Sequence, residues 1–407
     1  MIYRAPELSG LDEQVLGEIQ ELRDDLRFHL VSPRRWYGTL SRVMMARAVQ
    51  ASTSIEGYHS TVDETAAIID DEETPNVDHS TRMAVVGYRN AMTYVLQLTR
   101  PPRPVGLRTD NDHIDRPHPV EPPRPERPRM DASLLKALHF MMVGHDLSAN
   151  PGQWRPGTVW VQDGAGNAVY EAPDRDVVEP LVDQLVAVVN EEPDPAVVAA
   201  AMAHLNLTLI HPFSDGNGRM ARCLQYFVLG RAFGDLSPVF SSIEEYLGRN
   251  TGGYYAALTE TAAGSWSPER SARPWMEFCL TAHYHQAVSL RRRIDRTAAL
   301  WDRCEQAAAR GRLPDRTIDA LMHSARDWPL NRSRYITIVR SASGEPIGEA
   351  MATRDLAAMV AAGLLEPVGE KRGRHYLPSE SLRALERAIR DMQPARPAID
   401  PYGTPDP

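Results

Sequence analysis

Twelve consecutive residues near the middle of the chain combine a histidine, a carboxylate, two glycines and two arginines. They are His211-Pro212-Phe213-Ser214-Asp215-Gly216-Asn217-Gly218-Arg219-Met220-Ala221-Arg222. Successive backbone N–H groups in a Gly-Asn-Gly turn can converge on an anion, and a following helix adds its own donors and the positive end of its dipole. Two arginines three positions apart on one helical face can bind phosphate oxygens through forked hydrogen bonds. These residue types at this spacing indicate a site that handles phosphate.

The carboxylate and the histidine of this run have separate chemical uses. Asp215 can hold Mg²⁺, which typically takes one or two carboxylates and completes its shell with phosphates and water. His211 then remains available as a base. Metal binding by His204, His211 and Cys223 is a competing interpretation, but their spacing is typical of neither a zinc finger nor a His-Glu-x-x-His site.

Two helices are predicted to hold the run in place. Residues 196–210 are rich in Ala, Leu and Val and contain no Gly or Pro, which predicts a buried helix that delivers His211 at its C-terminal end. After the turn, apolar residues recur at helical spacing as far as Gly230, a residue typical of the position just past a helix end. These apolar residues are Met220, Leu224, Phe227 and Val228.

The run resembles, at every specified position, the signature of the Fic (Fic/Doc) family, His-x-Phe-x-Asp/Glu-Gly-Asn-Gly-Arg-x-x-Arg. The resemblance implies transfer of AMP from ATP to a Tyr, Thr or Ser hydroxyl of a target protein or of the chain itself. In that reaction His211 would deprotonate the hydroxyl and Asp215 would hold Mg²⁺. Phe213 is counted among the ATP-binding residues and would anchor the loop in the core. The other members of that set are Gly216, Asn217, Gly218, Arg219 and Arg222.

A second motif lies N-terminal to the signature, where residues 42–57 predict a helix that ends at Gly57. Glu56 falls in its last turn, where a carboxylate faces the negative end of the helix dipole and would be better placed beside an external cation. From these residues alone, the ordinary interpretation is a solvated glutamate before a helix cap.

Self-inhibited Fic proteins carry Ser/Thr-x-x-x-Glu-Gly/Asn on a helix N-terminal to their signature, and Ser52-Thr53-Ser54-Ile55-Glu56-Gly57 resembles that motif. The resemblance implies that Ser52, Glu56 and Gly57 form an inhibitory element. Glu56 would pair with Arg222 and occupy the space of the ATP γ-phosphate, so that ATP could not bind productively.

Two further segments bear on substrate binding. Residues 158–161 and 168–171 are short β-type runs around a Gly-rich turn and predict a hairpin. In Fic proteins a hairpin at this place, the flap, holds the target by strand addition. Downstream, Asn250 and Tyr254 resemble residues that border the nucleotide base in the family, while core packing is the alternative for Tyr254.

Residues 313–390 are predicted to form a winged-helix-like domain. Helical stretches near 317–325 and 353–362, separated by a polar connection, precede two strand-like runs at 364–368 and 374–377 around a charged turn. Such domains commonly place the second helix in the DNA major groove and the wing on phosphates, although many bind proteins instead. Both partners stay open. The residues that would contact DNA are Arg354, Lys371, Arg372 and Arg374.

Composition limits the class of protein. The chain of 407 residues is 43% hydrophobic and 24% charged, as expected for a soluble globular protein with two or three domains. Its net charge of -9 argues against wholesale coating of nucleic acid. Three scattered cysteines are typical of a reducing compartment. Because neither a signal peptide nor a long apolar span is evident, we expect a cytoplasmic protein without a membrane partner.

Together these features predict a mainly α-helical fold. We expect an N-terminal helical region with the inhibitory motif (1–100), a Pro- and Arg-rich linker or loop (101–130), a Fic core with a β-hairpin flap (131–300), the winged-helix-like domain (313–390) and a disordered tail (393–407).

The predicted function is self-inhibited protein adenylyl transfer with ATP and Mg²⁺, and three alternatives stay open. The first is removal of AMP from a target by the same site. The second is transfer of another nucleotide or of phosphocholine, because the signature specifies the phosphates more firmly than the base. The third is a DNA-binding regulator whose Fic part senses nucleotide.

Overall fold

A computed structural model describes residues 1–31, 35–100, 127–162, 168–191, 195–234, 240–343, 346–370, 373–392 and 400–403. In these ranges α-helices predominate, and strands form two antiparallel two-stranded sheets. The predicted mainly α-helical fold is confirmed. No helix within the same ranges is both long enough and apolar enough to span a membrane.

The helices are α1 (Gly10–Val31), α2 (Tyr37–Ile55), α3 (Val62–Ile69), α4 (His79–Thr99), α5 (Ala132–Val143), α6 (Val178–Glu191), α7 (Ala196–Ile210), α8 (Asn217–Ala232), α9 (Glu244–Arg249), α10 (Thr251–Ala262), α11 (Arg273–Arg310), α12 (Ile318–Ser324), α13 (Arg332–Ser343), α14 (Glu349–Ala361) and α15 (Glu380–Met392). The strands are β1 (Trp160–Gln162), β2 (Ala168–Glu171), β3 (Leu365–Val368) and β4 (His375–Pro378). Strand β1 pairs with β2, and β3 pairs with β4.

The backbone divides into two compact units that each gather segments distant in the sequence. The first unit contains Met1–Ala5, Asn90–Pro238 and Leu258–Arg273, and the second contains Pro6–Arg89, Val239–Ala257 and Pro274–Pro407. The domain boundaries expected from composition stay predictions.

The first unit is built around helices α7 and α8, which pack along each other. Nearly every side chain of α7 is buried, because Ala, Leu and Val occupy all of its faces. The predicted buried helix before His211 is confirmed. Helix α6 packs on α7, and α5 packs on α8.

The predicted helix end at Gly230 was wrong, because α8 continues to Ala232. A Cβ atom at Gly230 would lie 2.6 Å from Oγ1 of Thr99 at the end of α4. The glycine therefore allows two helices to approach closely and does not cap one of them.

In the second unit, α2 packs against α3 and α9. A Cβ atom at Gly248 of α9 would lie 2.9 Å from that of Ala51 on α2, so these two helices are in close contact. Helix α2 ends at Ile55, Glu56 is its C-cap residue, and Gly57 has a φ of 86°. The predicted helix end is confirmed, since this left-handed conformation favours glycine.

The C-terminal part of the second unit contains α12, α13, α14 and the β3–β4 hairpin. The predicted polar connection was wrong, because it contains α13, which buries Tyr335, Ile338 and Val339 along one face. Charged and hydroxyl residues on the other face conceal that spacing. The hairpin pairs Leu365 with Pro378 and Val368 with His375. The winged-helix assignment stays a prediction.

Two other expectations fall largely outside the described residues. Most of the predicted linker, residues 101–126, lies there, as do Lys371 and Arg372 of the predicted wing and residues 393–399 and 404–407 of the tail. Within the described residues 400–403, the Tyr402 hydroxyl donates to Oδ1 of Asp12 at 2.9 Å. This part of the predicted disordered tail therefore has a defined contact.

Candidate active site

The signature lies in the first unit, in the sharp turn between α7 and α8. His211 directly follows α7 with φ 49° and ψ 56°, and its amide donates to the carbonyl oxygen of Leu207 at 3.1 Å. A non-glycine residue in this left-handed region costs about 1 kcal/mol or more, and such conformations persist where the surroundings enforce them. The strained backbone leaves the imidazole partly exposed.

One hydrogen bond assigns the tautomer of the His211 ring. Its Nδ1 atom lies 3.2 Å from the carbonyl oxygen of Thr208. Because a carbonyl oxygen can only accept, Nδ1 carries the proton in this contact, and in the neutral form of the ring Nε2 is the nitrogen with the lone pair. A neutral imidazole held this way can take a proton at Nε2, as a general base must.

The loop after His211 is closed by the side chain of Asn217. Its Oδ1 accepts from the amide of Phe213 at 2.9 Å, and its Nδ2 donates to the Phe213 carbonyl oxygen at 2.9 Å. The side-chain amide of Asn217 therefore shapes the loop. The group of this residue that is suited to bind phosphate is its backbone N–H. Gly216, with φ 74°, is the N-cap residue of α8 and has no side chain to cap it. An anion can approach the first turn of this helix closely.

Two buried arginines and one accessible carboxylate lie on the same segment. The side chain of Arg219 is 1% exposed, and Arg222, one turn further along α8, is 2% exposed. Nη2 of Arg219 donates to Oδ2 of Asp215 at 3.0 Å, while the side chain of Asp215 is 52% exposed. This arrangement holds positive charge at the start of α8 and presents a carboxylate to solvent.

The residues fit a Mg²⁺ ion that is shared with a nucleotide. Within the described ranges no three His, Cys, Asp or Glu side chains cluster as a metal cage would require. Mg²⁺ bound with phosphates needs only one or two carboxylates, and Asp215 is accessible for that role. The competing metal site is not formed, since Nδ1 of His204 lies 2.6 Å from Oε1 of Gln225 and burial lowers the pKa of His204 to about 3.

Comparison with known proteins identifies the segment that carries this geometry. The sequence profile of the Fic/DOC family matches residues 129–229. This chain contains a Fic domain.

Two curated relatives share a longer stretch with it. Protein adenylyltransferase Fic of Nematostella vectensis is 26% identical over 234 residues, which are 56% of this chain and 47% of that protein. Protein adenylyltransferase fic-1 of Caenorhabditis elegans is 27% identical over 272 residues, 65% of this chain and 45% of that protein. The chain therefore spans less than half the length of these two relatives.

A solved structure shares the fold. The crystal structure of a Fic family protein from Desulfovibrio desulfuricans G20 superposes with a TM-score of 0.54 at 19% identity, covering 93% of this chain and 99% of that chain. At this identity the likeness concerns the fold alone.

The flap hairpin of the Fic domain is formed as predicted, with Trp160 paired to Glu171 and Val161 to Tyr170. The Gly-rich turn, 163–167, lies outside the described residues. The Tyr170 hydroxyl donates to the carbonyl oxygen of Leu209 at 2.7 Å, so this ring packs inside the domain. Trp160 is 53% exposed. Of the two aromatic residues, the structure therefore leaves Trp160 accessible to a partner.

His139 supports the signature loop, and sequence reasoning missed it. From α5, its ring stacks on Phe213 with centroids 3.8 Å apart, which explains how Phe213 is anchored in the core. Nδ1 of His139 accepts from the Gly152 amide at 2.9 Å, so Nε2 donates to the carbonyl oxygen of Asp215 at 3.0 Å. Burial lowers the pKa of His139 to about 4, which keeps the ring neutral at physiological pH. Its only sequence signal is a polar residue on the apolar face of α5.

A second missed residue is Arg155, which is fully buried. Its Nε donates to the carbonyl oxygen of His211 at 2.9 Å. It occurs 56 residues before His211 in the sequence, and an isolated arginine ahead of a predicted strand has no local pattern that would indicate this contact.

The other predicted site residues belong to the second unit. Ser52 is fully buried in α2, whereas Glu56 at the C-cap is partly exposed and Gly57 is exposed. Exposed Asn250 donates from Nδ2 to the carbonyl oxygen of Tyr246 at 2.8 Å. Tyr254 is buried among aromatic rings, with Tyr255 at 5.2 Å and Trp275 at 5.8 Å between centroids. This burial favours packing for Tyr254, and a role beside the nucleotide base stays a prediction.

Proposed function

We propose that the chain is a protein adenylyltransferase, which transfers AMP from ATP to a hydroxyl side chain of a target protein or of the chain itself. One observation carries this proposal. Nδ1 of His211 donates to the Thr208 carbonyl oxygen, which makes Nε2 the basic nitrogen of the neutral ring, and a short loop connects this residue to a helix whose first two turns carry two buried arginines. The names of the two curated relatives support the same reaction.

The reaction follows from these positions. His211 takes the proton of the target hydroxyl at Nε2, and the hydroxyl oxygen attacks the α-phosphorus of ATP. A new phosphorus–oxygen bond forms as the bond to the bridging oxygen of pyrophosphate breaks, and pyrophosphate leaves. Phosphoryl-type transfers need positioning and charge neutralisation more than covalent help from the protein. The first turn of α8 and the guanidinium groups of Arg219 and Arg222 provide both.

Asp215 is the residue that would hold Mg²⁺. When bound there together with ATP, the ion neutralises charge on the polyphosphate. The hydrogen bond from Arg219 orients the Asp215 carboxylate, whose side chain is half exposed. The same arginine thus serves both the phosphates and the carboxylate.

Self-inhibition by Glu56 is part of the proposal. The carboxylate is at the C-terminal end of α2, where the helix dipole disfavours it, and it is partly exposed. It pairs with Arg222 in the silent state and competes there with the γ-phosphate of ATP. The Ser52-to-Gly57 motif and the observed helix end support this role.

A cytoplasmic setting is also inferred. All three cysteines, Cys223, Cys279 and Cys304, are buried and none is joined by a disulfide, which suits a reducing compartment where disulfides are rare.

The decisive experiment is incubation of the purified Glu56→Gly chain, in which the proposed inhibition is removed, with ATP labelled at the α-phosphate, followed by mass spectrometry for AMP on the protein. His211→Ala is the matched variant, because it removes the base and keeps the phosphate donors. Labelling that is equal in both proteins would refute the proposal. An AMP-modified protein offered as substrate tests the reverse reaction, and competition by other nucleotides tests the preference for adenine.

A further inference from the structure

Arg155 makes four hydrogen bonds that join the signature loop to the flap hairpin. Its Nε donates to the His211 carbonyl oxygen at 2.9 Å, and its backbone N–H donates to the Pro212 carbonyl oxygen at 2.9 Å. Its Nη1 and Nη2 atoms donate to the carbonyl oxygens of Gly157 and Pro173. All four acceptors are backbone carbonyls within the first unit.

The positions of these carbonyls explain what the guanidinium does. Gly157 precedes β1, and Pro173 follows β2. The Arg155 side chain therefore binds the backbone at both ends of the hairpin, where the chain enters it and where the chain leaves it. The amide of Ala172 donates to the Val159 carbonyl oxygen at 3.1 Å and continues the pairing of the two legs there. The third donor of Arg155 reaches the backbone of the proposed base. The guanidinium of Arg155 therefore holds both the hairpin and the backbone of His211, the proposed general base.

Burial of Arg155 is difficult to explain as a contribution to stability alone. Its guanidinium is fully buried, and its charge must give up solvation that carbonyl dipoles replace only in part. An apolar side chain of similar volume would often serve a core as well. The planar guanidinium presents several N–H donors in a fixed geometry, so it can bind several carbonyl oxygens at once. An apolar side chain has no donors, and the ammonium of lysine has no such fixed arrangement. The arginine is suited to hold three backbone segments at set distances.

Tyr170 makes a second contact between the hairpin and the backbone near His211. Its hydroxyl donates to the carbonyl oxygen of Leu209, two residues before His211. Strand β2 is also fixed on its outer side, because the Glu171 amide donates to the Gly264 carbonyl oxygen at 2.9 Å and Glu171 forms a bridge with Ser265. Among the described residues, the outer edge of β1 pairs with no other strand. An incoming extended segment would add there.

We propose that Arg155 is a positioning residue that sets the distance between His211 and strand β1, so that a protein segment paired with β1 presents its hydroxyl to the base. This inference rests on the proposed adenylyl transfer. It concerns the acceptor alone, because Arg155 holds the hairpin and the His211 backbone and contacts no proposed phosphate-binding residue through these bonds. Transfer of AMP to water needs no segment on β1 and therefore does not depend on this distance.

The test compares two products of the same site, AMP attached to protein and AMP released to water, in Arg155→Lys and Arg155→Met. Both are made in the full chain and in the full chain with Glu56→Gly, so that inhibition does not hide the effect. We expect protein-attached AMP to fall at least about 10-fold, since small misplacements of reacting groups cost that much or more. Released AMP should stay within about 2-fold, because a reactant that is not held on β1 is not misplaced. Arg175→Lys, a change in another arginine beside the hairpin, is the matched control and should leave both products unchanged.

The outcomes separate this inference from the function it rests on. Parents that form neither product would refute the adenylyl transfer, and the role of Arg155 would fall with it. Active parents with an equal loss of both products in the Arg155 variants, or with no loss, would overturn the positioning role alone. Thermal unfolding checks that the variants fold. Should both unfold, Tyr170→Phe removes the second contact with little change in volume, and an unaltered product ratio in that variant would overturn the inference.

Discussion

Nε2 of His139 donates to the backbone carbonyl oxygen of Asp215 at 3.0 Å, and the same ring stacks on Phe213. A single buried imidazole from α5 therefore holds the loop at two points, the residue proposed to bind metal and the residue that anchors the loop. Its second nitrogen accepts from Gly152, so both nitrogens are used. The signature loop depends on a side chain that is absent from the signature.

This pair predicts a pH-dependent stability. Burial lowers the pKa of His139 from 6.5 to about 4, so between these values the unfolded chain binds a proton that the folded chain does not. The free energy of unfolding therefore falls as the pH drops from 6.5 towards 4, and His139 contributes at most about 1.4 kcal/mol per pH unit to this fall. Above pH 6.5 this group does not change the stability.

His139→Gln removes this titration. The variant should be less stable at pH 7.5, and its free energy of unfolding should change less with pH than that of the wild-type chain. Denaturant unfolding at pH 7.5, 6.0 and 5.0 measures it. Buried His204 and His283, whose pKa values burial lowers to about 3, contribute in the same direction in both proteins and cancel in the comparison. Parallel curves for the two proteins would contradict a neutral, buried His139.

In the Glu56→Gly chain, His211→Ala should lower AMP transfer by roughly 10²- to 10⁴-fold, the usual contribution of a general base. ATP binding should be largely retained, because the backbone donors of α8 and both arginines stay in place. Labelled-ATP transfer and equilibrium ATP binding are measured on the same preparation. His59→Ala, at an exposed histidine of the second unit, is the control and should keep full activity.

In the Glu56→Gly chain, Asp215→Asn should lose the Mg²⁺-dependent activity, because an amide keeps the shape of the side chain but not the charge that attracts the ion. The variant also loses the ion pair with Arg219. The amide oxygen can still accept the hydrogen bond from the buried Arg219 guanidinium, so the variant should keep most of its stability. A Mg²⁺ titration of transfer, with a chelator as zero point, measures the effect. A variant that keeps a wild-type Mg²⁺ response would rule out Asp215 as the ligand.

Glu56→Gly should raise self-modification well above wild type, because ATP no longer competes with a carboxylate for Arg222. The gain should depend on that partner. With Arg222 already replaced by Ala, removal of Glu56 should bring little recovery, since no cation remains there for the γ-phosphate. A double-mutant cycle on labelled transfer measures this coupling. The same increase with and without Arg222 would mean that Glu56 is a solvated residue before a helix cap.

The region 313–390 should bind duplex DNA at low salt if it acts as a winged helix. Arg354 on α14 and Arg374 beside β4 are exposed, and Lys371 and Arg372 lie between them and outside the described residues. Phosphate contacts release counterions, so affinity should fall steeply as salt rises. An anisotropy titration compares the wild-type chain with a variant in which all four residues are changed to Glu. Equal affinity of the two, or no binding at low salt, would leave a protein partner for this surface.

Much of the local structure could be predicted from the sequence, because it depends on residues that are neighbours in the chain. The signature, the buried helix before His211 and the end of α2 at Gly57 each follow from a local pattern of apolar residues, turn formers and charges. The flap strands follow from their short β-type runs. Local rules suffice where the backbone's own hydrogen bonds decide the conformation.

The tertiary structure alone decided which distant side chains complete the site. His139 and Arg155 reach the loop across 76 and 56 residues of sequence, and one sequence holds no record of such pairings. Gly230 illustrates the same limit, since a glycine typical of a helix end proved to be a point of contact with Thr99. Contacts between remote segments depend on how helices pack. That packing is determined by the combined shape of many side chains rather than by the pattern of any one segment.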